Sequence, residues 1–157
     1  MTQTRKMTRL AMPIVFASIL LGGCGSGDKK LLTKAEFVSK ANAICTPFKE
    51  KLASGDASTG SFKEDATITA EVLPLVEDQV ARLKKLVPPV GQQKTFDRAI
   101  ALSEEFSSDA KRLLAALRNK DAQASWTLTK QGGVIAGKRD ILFTKLGAMK
   151  CVYSAGR

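Results

Sequence analysis

The chain has 157 residues, 44% of them hydrophobic and 25% charged, with a formal net charge of +10. That length suits one domain with a hydrophobic core, and the composition excludes a disordered chain. Histidine is absent, which excludes Ser-His-Asp and Cys-His nucleophiles, His-containing zinc sites and the commonest neutral-pH general base together.

The first segment carries Arg5, Lys6 and Arg9 without an acid, then a mostly apolar run from Leu10 to Leu21, then Gly22, Gly23 and Cys24. This is the three-part layout of a secretory signal peptide. A membrane span needs about 20 apolar residues. The run from Leu10 to Leu21 has 12, includes Pro13 and Ser18, and ends in two glycines. Leu21-Gly22-Gly23-Cys24 resembles the lipobox of bacterial lipoproteins. The resemblance implies cleavage between Gly23 and Cys24 and a thioether-linked diacylglycerol on Cys24, with an N-acyl chain as a further addition. It places the protein on the extracytoplasmic face of the cell membrane, or on the outer membrane of a double-membrane cell. Two or more acyl chains, at ~0.8 kcal/mol per buried CH2, hold a protein stably. Residues 1–23 are then the signal, 24–32 a flexible membrane-proximal linker, and 33–157 the folded domain. Plain secretion is the alternative.

Loss of Arg5, Lys6 and Arg9 leaves 22 basic against 15 acidic residues, a net +7. Such a surface is drawn to anionic lipids or envelope polymers. The basic residues are spread along the chain with no interleaved aromatic motif, so nucleic acid is not an expected partner. With Cys24 given to lipid, Cys45 and Cys151 remain. An even pair in an oxidising compartment reads as one disulfide; two buried free thiols are the other reading.

Four helices follow in chain order. Thr33-Lys34-Ala35-Glu36 forms a capping box, after which Phe37, Ala41, Ile44, Phe48 and Leu52 recur at helical spacing. Pro47 should kink or divide this helix, and Gly55 should end it. Ser61-Phe62-Lys63-Glu64 is a second capping box, opening a helix with Ala66, Leu73, Val76, Val80, Leu83 and Val87 inward. Pro74 is internal and Pro88-Pro89 ends the segment. The third helix runs from about Gly91 to Arg118 on a stripe of Phe96, Ile100, Phe106, Ala110, Leu113 and Leu117. Asp121 caps the fourth, whose stripe is Trp126, Leu128, Ile135, Leu142 and Leu146. Gly132-Gly133 and Gly137 interrupt it. Two glycines cost ~2 kcal/mol of propensity relative to alanine, so a break or a closely packed neighbouring backbone is expected there. Gly147 fits a C-terminal cap. Short turns make the helices antiparallel neighbours, giving an all-α, up-down bundle of about four helices.

"LTKAEFVSKANAIC", Leu32 to Cys45, resembles the opening of uncharacterised exported helical proteins and lipoproteins of actinobacterial type, which begin L-S/T-K-x-E-F-x-x-x-A-x-x-I-C. Leu146-Gly147 and Cys151 match the group's Leu-Gly…Cys ending. The resemblance implies a helical domain and supports the Cys45–Cys151 pairing, and implies no activity.

No phosphate-cradling glycine motif is present. Glu104, Glu105 and Asp109, and Glu71, Glu77 and Asp78, read as solvated helix faces, with Asp78 and Arg82 an i,i+4 ion pair. A weak calcium site or an acid/base pair is the other reading of these carboxylates. No catalytic, metal or cofactor site is expected beyond the lipid on Cys24. Trp126 reads as core, although Trp126 and Tyr153 are also candidates to line a groove. Gly132-Gly133, facing the Pro47 or Pro74 irregularities, can leave a cleft of the kind that binds small molecules in bundles. The expected function is a non-enzymatic binding or scaffolding role at the cell envelope, toward an envelope protein or anionic polymer. The alternatives are a carrier or sensor of a small apolar ligand, and, last, an enzyme.

Overall fold

A computed structural model describes residues 31–54 and 60–153. Cys24, the signal, most of the linker and Gly55 lie outside the described residues. The chain forms α1 (Lys34–Ser54), α2 (Phe62–Leu83), α3 (Gln93–Arg118) and α4 (Ala122–Leu146), then a 3-10 turn at Met149–Cys151. Among the described residues there is no strand, and no helix is long and apolar enough to cross a membrane.

Local chemistry sets most boundaries. The Thr33 N–H donates to Glu36 Oε2 at 2.8 Å and the Glu36 N–H to Thr33 Oγ1 at 3.2 Å, a complete reciprocal cap. At α2, Ser61 holds the capping position with extended backbone, without a side-chain capping bond. The Ala124 N–H donates to Asp121 Oδ1 at 2.9 Å, opening α4. Gly147, at φ 79°, closes it: the Ala148 N–H reaches Phe143 O and the Gly147 N–H reaches Thr144 O. These two bonds satisfy carbonyls that the last turn leaves bare.

Pro47 and Pro74 do not divide their helices, since α1 and α2 each run through the proline. Each proline is exposed, so its ring crowds no neighbouring helix. Nor does α4 break at Gly132-Gly133. A neighbouring backbone is not what holds the glycines either. A Cβ on Gly132 would meet Phe106 Cε2 at 3.7 Å, ordinary contact, and one on Gly133 or Gly137 would meet nothing within 4 Å. Packing of α4 along α3, the most extensive helix–helix contact in the molecule, offsets the propensity that the glycines lose.

The backbones approach each other in the order α1–α2–α3–α4, and the 3-10 turn carries the chain back to α1. The tail, rather than direct packing of α4 on α1, thus closes the ring. Cys45 and Cys151 are disulfide-bonded, with Cα atoms 5.0 Å apart, and both are fully buried. Around them Phe37, Leu83, Phe96, Phe143 and Leu146 form the main core, with the Phe37 and Phe96 rings edge-to-face at 5.3 Å. Each such side chain contributes about 1.5–3 kcal/mol of burial. Lys49 Nζ donates to Val152 O at 3.1 Å and the Lys150 N–H donates to Asn42 Oδ1 at 2.9 Å, fixing the tail along α1.

Two further sequence expectations change. Trp126 is 60% exposed, not core, with Lys130 Nζ over its ring at 4.9 Å. The buried face of α4 instead runs through Leu128, Ile135, Arg139, Phe143 and Leu146. The difference is one of phase: Trp126 sits two residues before Leu128, about 200° around the helix. Asp109 is 5% exposed, not part of a solvated face.

Candidate functional site

Residues of all four helices and Tyr153 of the tail line a cleft of about 540 Å3. Its walls are mostly apolar: Phe48 and Leu52 from α1, Phe106 and Leu113 from α3, Leu128 and Ala136 from α4. Gly132 and Gly133 form part of the α4 wall, where the missing side chains leave the groove wide. The cleft expected opposite Gly132-Gly133 therefore exists, bounded by Phe48, next to Pro47, and by Val72, two residues before Pro74. A second depression of about 660 Å3, beside Phe62 and Leu117, is rimmed by exposed Lys63, Glu71, Arg118 and Lys120. It holds no buried polar group, so the cleft is the better candidate for recognition.

Four polar side chains sit in the cleft wall: Asp109, Thr129, Arg139 and Tyr153; the Thr129 hydroxyl donates to Ser125 O at 2.8 Å. Arg139 is 2% exposed and Asp140 is 3% exposed. The Arg139 Nη2 and Nε groups donate to Asp140 Oδ1 at 2.9 and 3.2 Å. The guanidinium carbon lies 4.6 Å from the Tyr153 ring centre and 5.1 Å from that of Phe106. A desolvated cation–π contact of this kind is worth on the order of 2 kcal/mol. The Tyr153 N–H donates to Asp140 Oδ2 at 2.8 Å, and the Tyr153 hydroxyl donates to Gln79 Oε1 at 2.6 Å. The Tyr153 ring meets Phe48 edge-on at 4.6 Å. Burial pushes the Tyr153 phenol far above its ordinary range and the Asp140 charge adds to this; the Arg139 charge and the Gln79 hydrogen bond oppose it. The phenol is therefore a fixed neutral donor. It is also the lock that ties the tail to α2 and α4.

Asp109 differs. Its Oδ1 accepts from Arg112 Nη1 at 3.0 Å, on a side chain that is 63% exposed. Its Oδ2 is buried and has no hydrogen-bond partner. A buried acceptor left without a hydrogen bond costs roughly 1–3 kcal/mol.

Of the residues singled out in the sequence, the structure brings Cys45 and Cys151 together and places Tyr153 and Asp109 at the cleft; Trp126 lies outside it. Glu71, Glu77 and Glu104 pair with Lys51, Lys111 and Lys84 at 2.8, 2.5 and 2.6 Å, and Asp78 with Arg82 at 3.4 Å. Among the described residues no group of three or more His, Cys, Asp or Glu side chains could hold a metal ion. Arg139, Asp140 and Gln79 were not expected at the site. Arg139 falls four residues after Ile135 and four before Phe143, and Gln79 falls three after Val76 and four before Leu83. A polar residue at a stripe position was the available signal.

The chain matches no protein-family model, no curated protein and no solved structure.

Proposed function

We propose that the protein is a lipid-anchored extracytoplasmic binding protein without enzymatic activity, and that the cleft lined by all four helices holds a small, mainly apolar ligand. One observation carries the ligand reading. The cleft, at about 540 Å3, falls in the size range of small-molecule sites, and its apolar wall is broken only by a few fixed polar groups. The anchor rests on Leu21-Gly22-Gly23-Cys24 behind a basic and then apolar leader. Catalysis has little support: the chain has no histidine, and Arg139, Asp140 and Tyr153 are bonded to one another.

Titration of the mature protein with N-phenyl-1-naphthylamine, whose emission rises in apolar surroundings, tests the ligand site. Saturable binding is expected, weakened at least tenfold by Gly132→Leu, which fills the groove beside Phe106 and favours the helix. Absence of saturable binding refutes the carrier reading. The anchor is tested separately: Cys24→Ser should abolish labelling by a fatty-acid probe, and unchanged labelling refutes the lipobox.

A scaffolding reading has one observation of its own. Trp126, Val134 and Ile141 are exposed at 60%, 57% and 59% along one side of α4, beside exposed Lys130 and Lys138. An apolar row with a basic border suits an envelope protein or an anionic polymer.

A further inference from the structure

Resting on the reading of Cys24 as a lipid anchor for the nearness of a bilayer, we infer that the outer face of α4 is a docking surface for anionic lipid. Trp126, Val134 and Ile141 are exposed at 60%, 57% and 59%, and Lys130, Lys138 and Lys145 are exposed among them. At about 100° per residue the six fall within an arc of roughly 120° along α4. Every exposed charge of α4 is positive. Its one acid, Asp140, is buried against Arg139, whereas each of the other helices exposes acids, such as Glu50 on α1, Asp78 on α2 and Glu105 on α3. Lysines there are answered across helices, Lys51 by Glu71, Lys84 by Glu104 and Lys111 by Glu77. Among the described residues no ion pair takes Lys130, Lys138 or Lys145, and Lys130 lies over the Trp126 ring instead.

This combination favours a bilayer over a soluble polyanion. A polyanion takes the lysines but offers no apolar phase to Trp126, Val134 and Ile141. An anionic bilayer offers both at one surface: lysines reach the headgroups, while an indole and aliphatic side chains settle at the boundary between headgroups and acyl chains. The anchor also joins the domain at one end of this face. Gly147, which closes α4, lies beside Val38 near the start of α1, where a Cβ on the glycine would meet Val38 Cγ2 at 3.3 Å. The chain from Cys24 to Leu31, just before α1, spans at most about 25 Å. Ile141 and Lys145 therefore sit at the tethered end of α4. Tethering makes docking an intramolecular step, so a row too short to hold a free protein on vesicles can hold an anchored one.

The test uses the mature, lipid-anchored protein in vesicles of phosphatidylcholine and of an equal mixture of phosphatidylcholine and phosphatidylglycerol. Trp126 is the sole tryptophan, so its emission reports this face alone. In the mixed vesicles it should shift to the blue and be quenched by brominated acyl chains at least twofold more than in phosphatidylcholine. The triple variant Lys130→Gln/Lys138→Gln/Lys145→Gln should lose that difference. Lys40→Gln/Lys63→Gln/Lys94→Gln, which removes the same charge from exposed sites on α1, α2 and α3, should keep it. Equal quenching in both vesicles, no quenching in either, or equal loss in the two triple variants overturns the inference. So does an equal blue shift when soluble polyglutamate is added to the phosphatidylcholine vesicles, which makes the face a site for anionic polymers. Flotation with phosphatidylcholine vesicles judges the anchor separately. Protein that does not float refutes the lipobox, and quenching in the mixed vesicles then still decides the docking, its presence supporting the inference and its absence overturning it. The wild-type comparison stands even if a variant does not fold.

Discussion

Replacing Arg139 by methionine should be among the most damaging single changes in the α4 core. Methionine keeps much of the aliphatic stem and so much of the packing against Phe106 and Tyr153, but removes the guanidinium. Asp140, 3% exposed, would then lose the Arg139 charge that lies 2.9 Å from its Oδ1. Removing one partner of a buried ion pair costs about 3–5 kcal/mol. For a domain of this size that lowers Tm by roughly 10–20 °C. Urea melts of wild type, Arg139→Met and the double variant Arg139→Met/Asp140→Asn at pH 7 measure the effect, and the double variant should recover most of the loss. A single-variant loss below about 1 kcal/mol at pH 7, or a double variant no better than the single, would refute the pairing argument.

The disulfide closes a loop with a sequence separation of 106, for which the chain-entropy estimate is about 4.8 kcal/mol. Unfolding and reducing the protein before refolding should therefore lower Tm by roughly 15 °C or more in differential scanning calorimetry, and an unchanged Tm counts against the constraint. Tyr153 is the sole tyrosine, so absorbance at alkaline pH reports it alone. No phenolate signal should appear near pH 10 in folded protein. Because its folded pKa is raised, its contribution to stability is present below about pH 10 and is lost as pH rises beyond it. The single tryptophan, Trp126, should show the emission and acrylamide quenching of an exposed indole; a shielded, blue-shifted emission would contradict its placement on the outer face.

The helices were legible because capping and stripe signals agreed. Thr33 with Glu36, Asp121 and Gly147 each do locally what their residue types favour. The disulfide was legible once Cys24 was set aside. The phase of α4 was not, because the glycines at 132, 133 and 137 dilute its hydrophobic stripe and a polar Arg139 occupies its centre. A bulky indole then drew the stripe to the wrong side. The cleft could be expected from the glycines, but its polar groups could not. Asp109, Arg139 and Gln79 are charged or polar residues on inward faces, and whether such a residue is buried depends on a partner from elsewhere in the fold. For Gln79 that partner is Tyr153, 74 residues away. Helical spacing reports which residues share a face, and is silent on which faces meet.

The bond between Cys45 and Cys151 makes everything between them a closed covalent loop that includes α2, α3 and α4. A protease that cuts this loop once opens it without dividing the molecule. Every residue stays joined to Cys45, and through it to whatever precedes α1. Releasing a piece of the loop takes two cuts inside it, so a protein nicked once within the loop stays in one piece until a reductant is added.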